Sequence, residues 1–208
     1  MLTLIAAISF ATLFEQCAPD VSPVTLDALI QTESGGNPNV VANVTDGTSH
    51  YFKNAEDATR HINGLSRDGK RFCAGLMQVC SGNFESVGLD NTTVFDPCKN
   101  ITAGAKILVE NYGNVKGERE EQERLKKALS RYYSGNESRG FKKEPEYANT
   151  SYVERVQDKA YKVPALSTGT ISSVEEKQNQ AGRSATIDTE TKKSNQQWDI
   201  FGDFNDVQ

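Results

Sequence analysis

Between Pro23 and Glu33 the apolar residues Leu26, Leu29 and Ile30 recur at helical spacing. The next positions on that stripe, four beyond Leu29 and seven beyond Leu26, fall on Glu33. Ser22 with Pro23 forms a helix start, and Gly35-Gly36 stops the helix just after the glutamate. This predicts a carboxyl group at a helix end, on the face turned inward. A loop rich in Gly, Pro, Asn and Asp is expected over residues 35–54. Asn54, with Asp57 three residues on, reads as the cap of a helix carrying Ala55, Ala58, Ile62 and Leu65 on one face.

Phe72 to Val79 is a short apolar run around Gly75, and Ser81 opens a helix that ends near Gly88. Asp96-Pro97 marks a turn, after which Asn100 is read as capping a helix with Ile101, Ala105, Leu108, Val109 and Tyr112, closed by Gly113. Two more helices are expected, over about 118–134 with Leu125, Ala128, Leu129 and Tyr132 inward, and over about 149–161 with Tyr152, Val153, Val156 and Ala160 inward. No stretch calls for a long strand, so the fold class is mainly α.

The two ends read differently from the middle. Residues 1–14 are apolar and uncharged, too short to span a bilayer and of the length of a secretory signal core. They lack a basic n-region and a clear small-x-small cleavage site before Glu15; a buried first helix is the competing reading. Residues 165–195 are rich in Ser, Thr, Gln, Asn, Glu and Lys, and are predicted to be disordered because they bury too little to offset ordering entropy. The chain then carries Trp198, Ile200, Phe201 and Phe204, a cluster that fits a docking motif as well as a terminus folding back on its own domain. The expected organisation is an export segment over 1–14, one domain over 15–164, and a polar tail with an aromatic end over 165–208.

The 208 residues carry a net charge of -5 with no basic stripe, which argues against nucleic acid as the partner. Cys17, Cys73, Cys80 and Cys98 do not have zinc-site spacing, and His50 and His61 are the only histidines. Neither a metal nor an organic cofactor is expected. Two disulfides in an oxidising compartment fit the export reading. Of the three pairings open to four cysteines, Cys17–Cys98 with Cys73–Cys80 is favoured.

Burial disfavours the charged form of a carboxyl group and raises its pKa, so an inward Glu33 can hold a proton near neutrality and act as a general acid. The plain alternative is a solvated glutamate at a helix end. Motifs elsewhere favour the acid. Glu33-Ser34-Gly35-Gly36-Asn37-Pro38 resembles the catalytic Glu-Ser motif of lysozyme-like lytic transglycosylases, and Gly75-Leu76-Met77-Gln78-Val79 resembles their Gly-Leu-Met-Gln-Ile segment. Asp96-Pro97-Cys98-Lys99-Asn100-Ile101 and the following Gly104 are similar to their Asp-Pro-x-x-Asn-Ile-x-x-Gly helix start. Ala128 to Gly135 resembles Ala-Leu-x-x-Tyr-Asn-x-Gly, and Tyr152-Val153 with Val156 resembles the closing helix. Five motifs run in order over about residues 15–162. Within that family the chain looks most like the branch encoded with type IV secretion systems, through Gln16-Cys17-Ala18-Pro19, the extra helix between the first two motifs, and the aromatic ending.

The resemblance implies a lysozyme-like (SLT) fold and a carbon–oxygen lyase acting on peptidoglycan glycan strands. Glu33 would protonate the oxygen of the bond between N-acetylmuramic acid and N-acetylglucosamine, then take the proton of the muramic 6-hydroxyl as it closes on C1, giving a 1,6-anhydro product. It also implies substrate contacts by Ser34, Met77, Gln78, Tyr132 and Asn136. The branch implies a periplasmic, envelope-associated enzyme that opens the wall for secretion or conjugation machinery, with Trp198, Ile200, Phe201 and Phe204 meeting that machinery. Two departures stand out: Ala42 replaces a serine common about nine residues after the glutamate, and Tyr132-Tyr133 replaces Tyr-Asn. The alternatives are a hydrolytic muramidase of goose-type lysozyme character and a non-catalytic wall-binding assembly protein. Asn-x-Ser/Thr triplets at Asn43, Asn91, Asn100, Asn136 and Asn149 are taken as chance matches in a bacterial chain.

Overall fold

Helix α1 (Phe10–Cys17) leads into α2 (Pro23–Glu33), which carries the inward glutamate at its last residue. The computed structural model describes residues 10–160. A four-stranded antiparallel sheet follows, made of β1 (Val40–Asn43), β2 (Thr48–Tyr51), β3 (Phe72–Ala74) and β4 (Val79–Cys80) in the order β2-β1-β3-β4. Helix α3 (Ala55–Arg67) is inserted between β2 and β3. The chain continues through α4 (Phe84–Val87), α5 (Pro97–Asn114), α6 (Glu121–Ser134) and α7 (Tyr152–Ala160).

Caps explain most helix starts. Ser22 Oγ accepts from Val24 N at 3.3 Å, with Pro23 in the first turn of α2. Asn54 Oδ1 accepts from Asp57 N at 2.9 Å at the head of α3. One expected cap is corrected: α5 starts at Pro97, where Asp96 Oδ1 accepts from Lys99 N at 2.8 Å, and Asn100 lies buried within the helix. Helix α7 likewise starts at Tyr152, later than the spacing indicated.

The predicted loop over 35–54 contains two strands, β1 and β2. All four residues of β2 are exposed, so it lacks the alternation that reveals a half-buried strand. Its edge is held by pairing with β1, Val41 opposite His50.

The core gathers Leu26, Leu29 and Ile30 of α2, Ile101 of α5, Leu129 of α6 and Val156 of α7. Helix α2 lies against α7, and α5 against both α1 and α6. The boundary expected at Glu15 falls inside α1, and Phe14 is buried in the core. Cys17 is bonded to Cys98, tying α1 to the start of α5, and Cys73 to Cys80, clasping β3 to β4. This is the favoured pairing. None of the described helices is long and apolar enough to cross a membrane. Residues 1–9 of the apolar segment, and the tail with Trp198, Ile200, Phe201 and Phe204, lie outside the described residues.

Candidate active site

Glu33 ends α2 with its side chain toward α7, and the hydroxyl of Tyr152 donates to its Oε1. Loss of water around the carboxyl pushes its pKa from an ordinary 4.5 to about 7, while the Tyr152 hydrogen bond and the Arg155 guanidinium pull the other way without cancelling it. Burial, and then the neighbouring Glu33 charge, hold the Tyr152 hydroxyl well above its ordinary pKa of 10.0. Tyr152 therefore stays a donor at any working pH. The site holds a carboxyl group poised near neutrality against a hydroxyl that does not ionise.

A second layer fixes Tyr152. The Tyr133 ring stacks on it, centroids 4.5 Å apart and planes inclined by 13°. Tyr133 donates to Glu144 Oε1 at 2.5 Å, and Arg155 Nη2 donates to Glu144 Oε2 at 2.8 Å. The Arg155 guanidinium also lies over the Tyr147 ring, 4.0 Å from its centroid. Burial pushes Glu144 up, but the bonds from Tyr133 and Arg155 outweigh it and hold the carboxylate below its usual range. Tyr133 is pushed up to about 12 by burial and by that same bond. The tyrosine that stands where the family resemblance calls for asparagine is thus built into the wall behind Tyr152.

The turn between β3 and β4 forms the opposite support. Gly75 has φ +86°, and a Cβ there would lie 2.6 Å from Asn100 Cγ and 2.8 Å from the Val94 carbonyl oxygen. Asn100 satisfies the turn from beneath: its Oδ1 accepts from Met77 N at 2.8 Å, and its Nδ2 donates to the carbonyls of Ala74 (3.1 Å) and Val94 (2.9 Å). Tyr132 donates to the Met77 carbonyl at 2.7 Å. Gln78 adopts φ 46°, and its Nε2 donates to the carbonyls of Val40 and Gly75 at 3.1 and 2.9 Å.

The structure thus sorts the residues singled out in the sequence. Glu33 is at the centre, with Tyr132 bracing the turn beside it. Met77 is fully buried, with Gly104 packed directly on it. Gln78 is buried, with its amide nitrogen engaged by backbone carbonyls. Ser34 Oγ is turned back onto the Ile30 carbonyl at 3.1 Å. Asn136 is exposed on the rim of a cavity of about 570 Å³, where its Oδ1 accepts from Ser138 and Arg139. Among the described residues, no group of three or more His, Cys, Asp or Glu is assembled to hold a metal ion.

Sequence reasoning missed Tyr152, Asn100 and the Tyr133–Glu144–Arg155 cluster as parts of the site. The one available signal was a tyrosine hydroxyl on an inward stripe, which needs a partner wherever it is buried. A larger cavity, of about 800 Å³, runs from the sheet to the end of α6, with Tyr132 and Tyr133 in its lining.

The Transglycosylase SLT domain matches residues 11–153. The chain is 37% identical over 151 residues to the Type IV secretion system protein virB1 of Brucella abortus (strain 2308) and, equally, to that of Brucella suis biovar 1 (strain 1330). Those matches cover 72% of this chain and 63% of the Brucella proteins, so less than two thirds of their length. Protein virB1 of Agrobacterium fabrum (strain C58) is 30% identical over 201 residues, 95% of this chain and 73% of that protein. No solved structure matches the chain at a significant level.

Proposed function

Because the chain belongs to the transglycosylase SLT domain family, we propose that it is a peptidoglycan lytic transglycosylase with Glu33 as its acid. The observation that carries this is the Glu33 carboxyl, held at about 7 and hydrogen-bonded by Tyr152. Protonated, Glu33 gives its proton to the oxygen linking N-acetylmuramic acid to N-acetylglucosamine, and the C1–O bond breaks. The resulting carboxylate, steadied by Tyr152, accepts the proton of the muramic 6-hydroxyl as that oxygen bonds to C1. The product is a 1,6-anhydro sugar; no water is consumed, and Glu33 ends the cycle protonated.

The electrostatics are compatible with a single acid. A two-carboxylate glycosidase holds its second carboxyl within about 5–9.5 Å of the first. A carboxylate at that distance would add like-charge repulsion to Glu33. The influences on Glu33 are burial, Tyr152 and Arg155, none of them a carboxylate. The hydrolytic alternative draws no support from this arrangement. A half-buried acid poised near neutrality fits a catalytic role better than a purely wall-binding one.

Within this proposal Tyr132 fixes the turn that faces the cleft, Gln78 and Met77 shape it, and Ser34 and Asn136 stand at its margins. The virB1 relatives support an enzyme exported to the periplasm, opening peptidoglycan locally for a type IV secretion or conjugation apparatus. Trp198, Ile200, Phe201 and Phe204 are the residues we assign to contact with that apparatus.

The test is mass spectrometry of purified peptidoglycan digested by the wild type and by Glu33→Gln. Anhydromuramic ends from the wild type alone are expected. Reducing ends would make the protein a hydrolase, and intact glycan with a folded wild type would leave the binding role.

A further inference from the structure

Three guanidinium groups, Arg71, Arg131 and Arg139, line the cavity of about 800 Å³, against one carboxylate, Glu110. Two of these four charges are already matched. Arg131 Nη1 lies 3.2 Å from Glu137 Oε1, and Glu110 lies 4.0 Å from Lys106 Nζ. Among the described residues neither Arg71 nor Arg139 has a carboxylate within ion-pair distance. Two guanidinium groups without a salt-bridge partner therefore sit in a concave wall of a chain whose net charge is -5, Arg139 also acting at longer range on Glu144. The neighbouring cavity shares Arg139 and adds Lys142 and Lys143 against Glu144 and Glu146, with Lys143 paired to Glu154 and Glu144 to Arg155. The excess of basic over acidic lining residues is greater in the larger cavity.

A concave wall focuses the field of its charges, and guanidinium groups favour carboxylates through paired hydrogen bonds. The cavity also adjoins the acid. Tyr133 in its wall stacks on Tyr152, which donates to Glu33. In the intact polymer the lactyl carboxyl of each muramic acid is taken up in the amide to its stem, so the N-acetylated strand carries no fixed charge of its own. Its anions are the carboxylates of the peptide stem attached to the muramic acid, the sugar whose C1 reacts.

We infer that this cavity is a stem subsite, in which Arg71 and Arg139 hold carboxylates of the peptide stem, so that the protein acts on stem-bearing strands in preference to bare glycan. The inference rests on the transglycosylase proposal. It adds a substrate class to it: acidic peptide joined to an uncharged sugar strand.

The experiment compares two soluble substrates prepared from one peptidoglycan, strands with stems and strands stripped of them by an amidase, which leaves on each muramic acid only the lactyl carboxylate beside the ring. The release of anhydro ends is followed for the wild type, for Arg71→Ala/Arg139→Ala, and for Arg71→Lys/Arg139→Lys. The wild type is expected to prefer stem-bearing strands by about tenfold, a preference that weakens as salt is raised. The alanine pair should bring the ratio of kcat/KM for the two substrates close to one, mainly through KM, and the lysine pair should keep most of it. Equal rates of wild type on both substrates, or an alanine pair that keeps the ratio or loses both activities equally, would overturn the subsite.

NMR titration with the isolated stem tetrapeptide separates the subsite from the chemistry. Shifts of the Arg71 and Arg139 Nε–H signals are expected even if no anhydro product forms, whereas unmoved signals defeat the subsite alone.

Discussion

Replacing Glu33 by glutamine should make the protein more stable at neutral pH while abolishing its chemistry. The carboxyl is held at about 7 in the folded state against an ordinary 4.5. Between those values the folded protein binds a proton that the unfolded chain has released, so wild-type stability falls as pH rises through this window. Below about 4.5 both states are protonated and the penalty vanishes; above about 7 both are ionised and it is complete. At 1.36 kcal/mol for each tenfold change in proton affinity, the full penalty is about 3 kcal/mol. Glutamine keeps the shape and an oxygen to accept from Tyr152, but never ionises. Urea unfolding of both proteins at pH values from 4.5 to 8.5 measures the difference directly. The two should coincide at the acid end and separate by about 3 kcal/mol in favour of Glu33→Gln by pH 8. Groups such as Asp90 and Glu154, held down to about 2, contribute to both proteins alike and cancel. A constant difference across the range would refute the claim that Glu33 is a desolvated, proton-holding acid.

The remaining predictions concern the supports. Tyr152→Phe removes the donor to Glu33 and should move the basic limb of the activity–pH profile, expected near 7 in the wild type from the Glu33 carboxyl, upward by about one pH unit. It should also cut kcat about tenfold, because the carboxylate formed in mid-reaction loses its hydrogen bond; an unmoved limb in the product-release assay would count against the contact. Gly75→Ala should cost about 2 kcal/mol or more in thermal denaturation, since its Cβ would meet Asn100 and the Val94 carbonyl at a positive φ. Asn100→Ala leaves two backbone groups of the turn and the Val94 carbonyl without their partner and should cost about 3 kcal/mol, with activity lost alongside. Replacing Cys17 and Cys98 by serine should lower stability by about 4 kcal/mol against about 2.5 for Cys73 and Cys80, because the first pair closes the longer loop, a ranking that chemical denaturation decides.

The helix that carries Glu33 was legible because three local signals agree at α2: an apolar stripe, a Ser-Pro start and a double glycine stop. Its glutamate stood out as the polar residue on an apolar stripe. Strands β1 and β2 were not legible, since four-residue strands with an exposed edge acquire their identity from distant pairing. Asn100 illustrates a different ambiguity. An asparagine near a helix start has the chemistry of a cap, and when the helix begins earlier the same amide satisfies two backbone groups of a turn 23 to 26 residues upstream together with the Val94 carbonyl. Tyr152 and Tyr133 could be seen as inward or unusual aromatics, but no local pattern says which carboxyl group a hydroxyl meets.

Glu33 and the tyrosine that completes it stand 119 positions apart, on the second and the last of the described helices. A nascent or partly unfolded chain can therefore contain the acid long before it contains the acid's environment. Until α7 closes on α2, Glu33 is an ordinary solvated carboxylate, ionised at neutral pH and without a proton to give. For a protein whose proposed chemistry severs the wall of its own cell, the topology acts as a safety catch released only when the whole domain is closed.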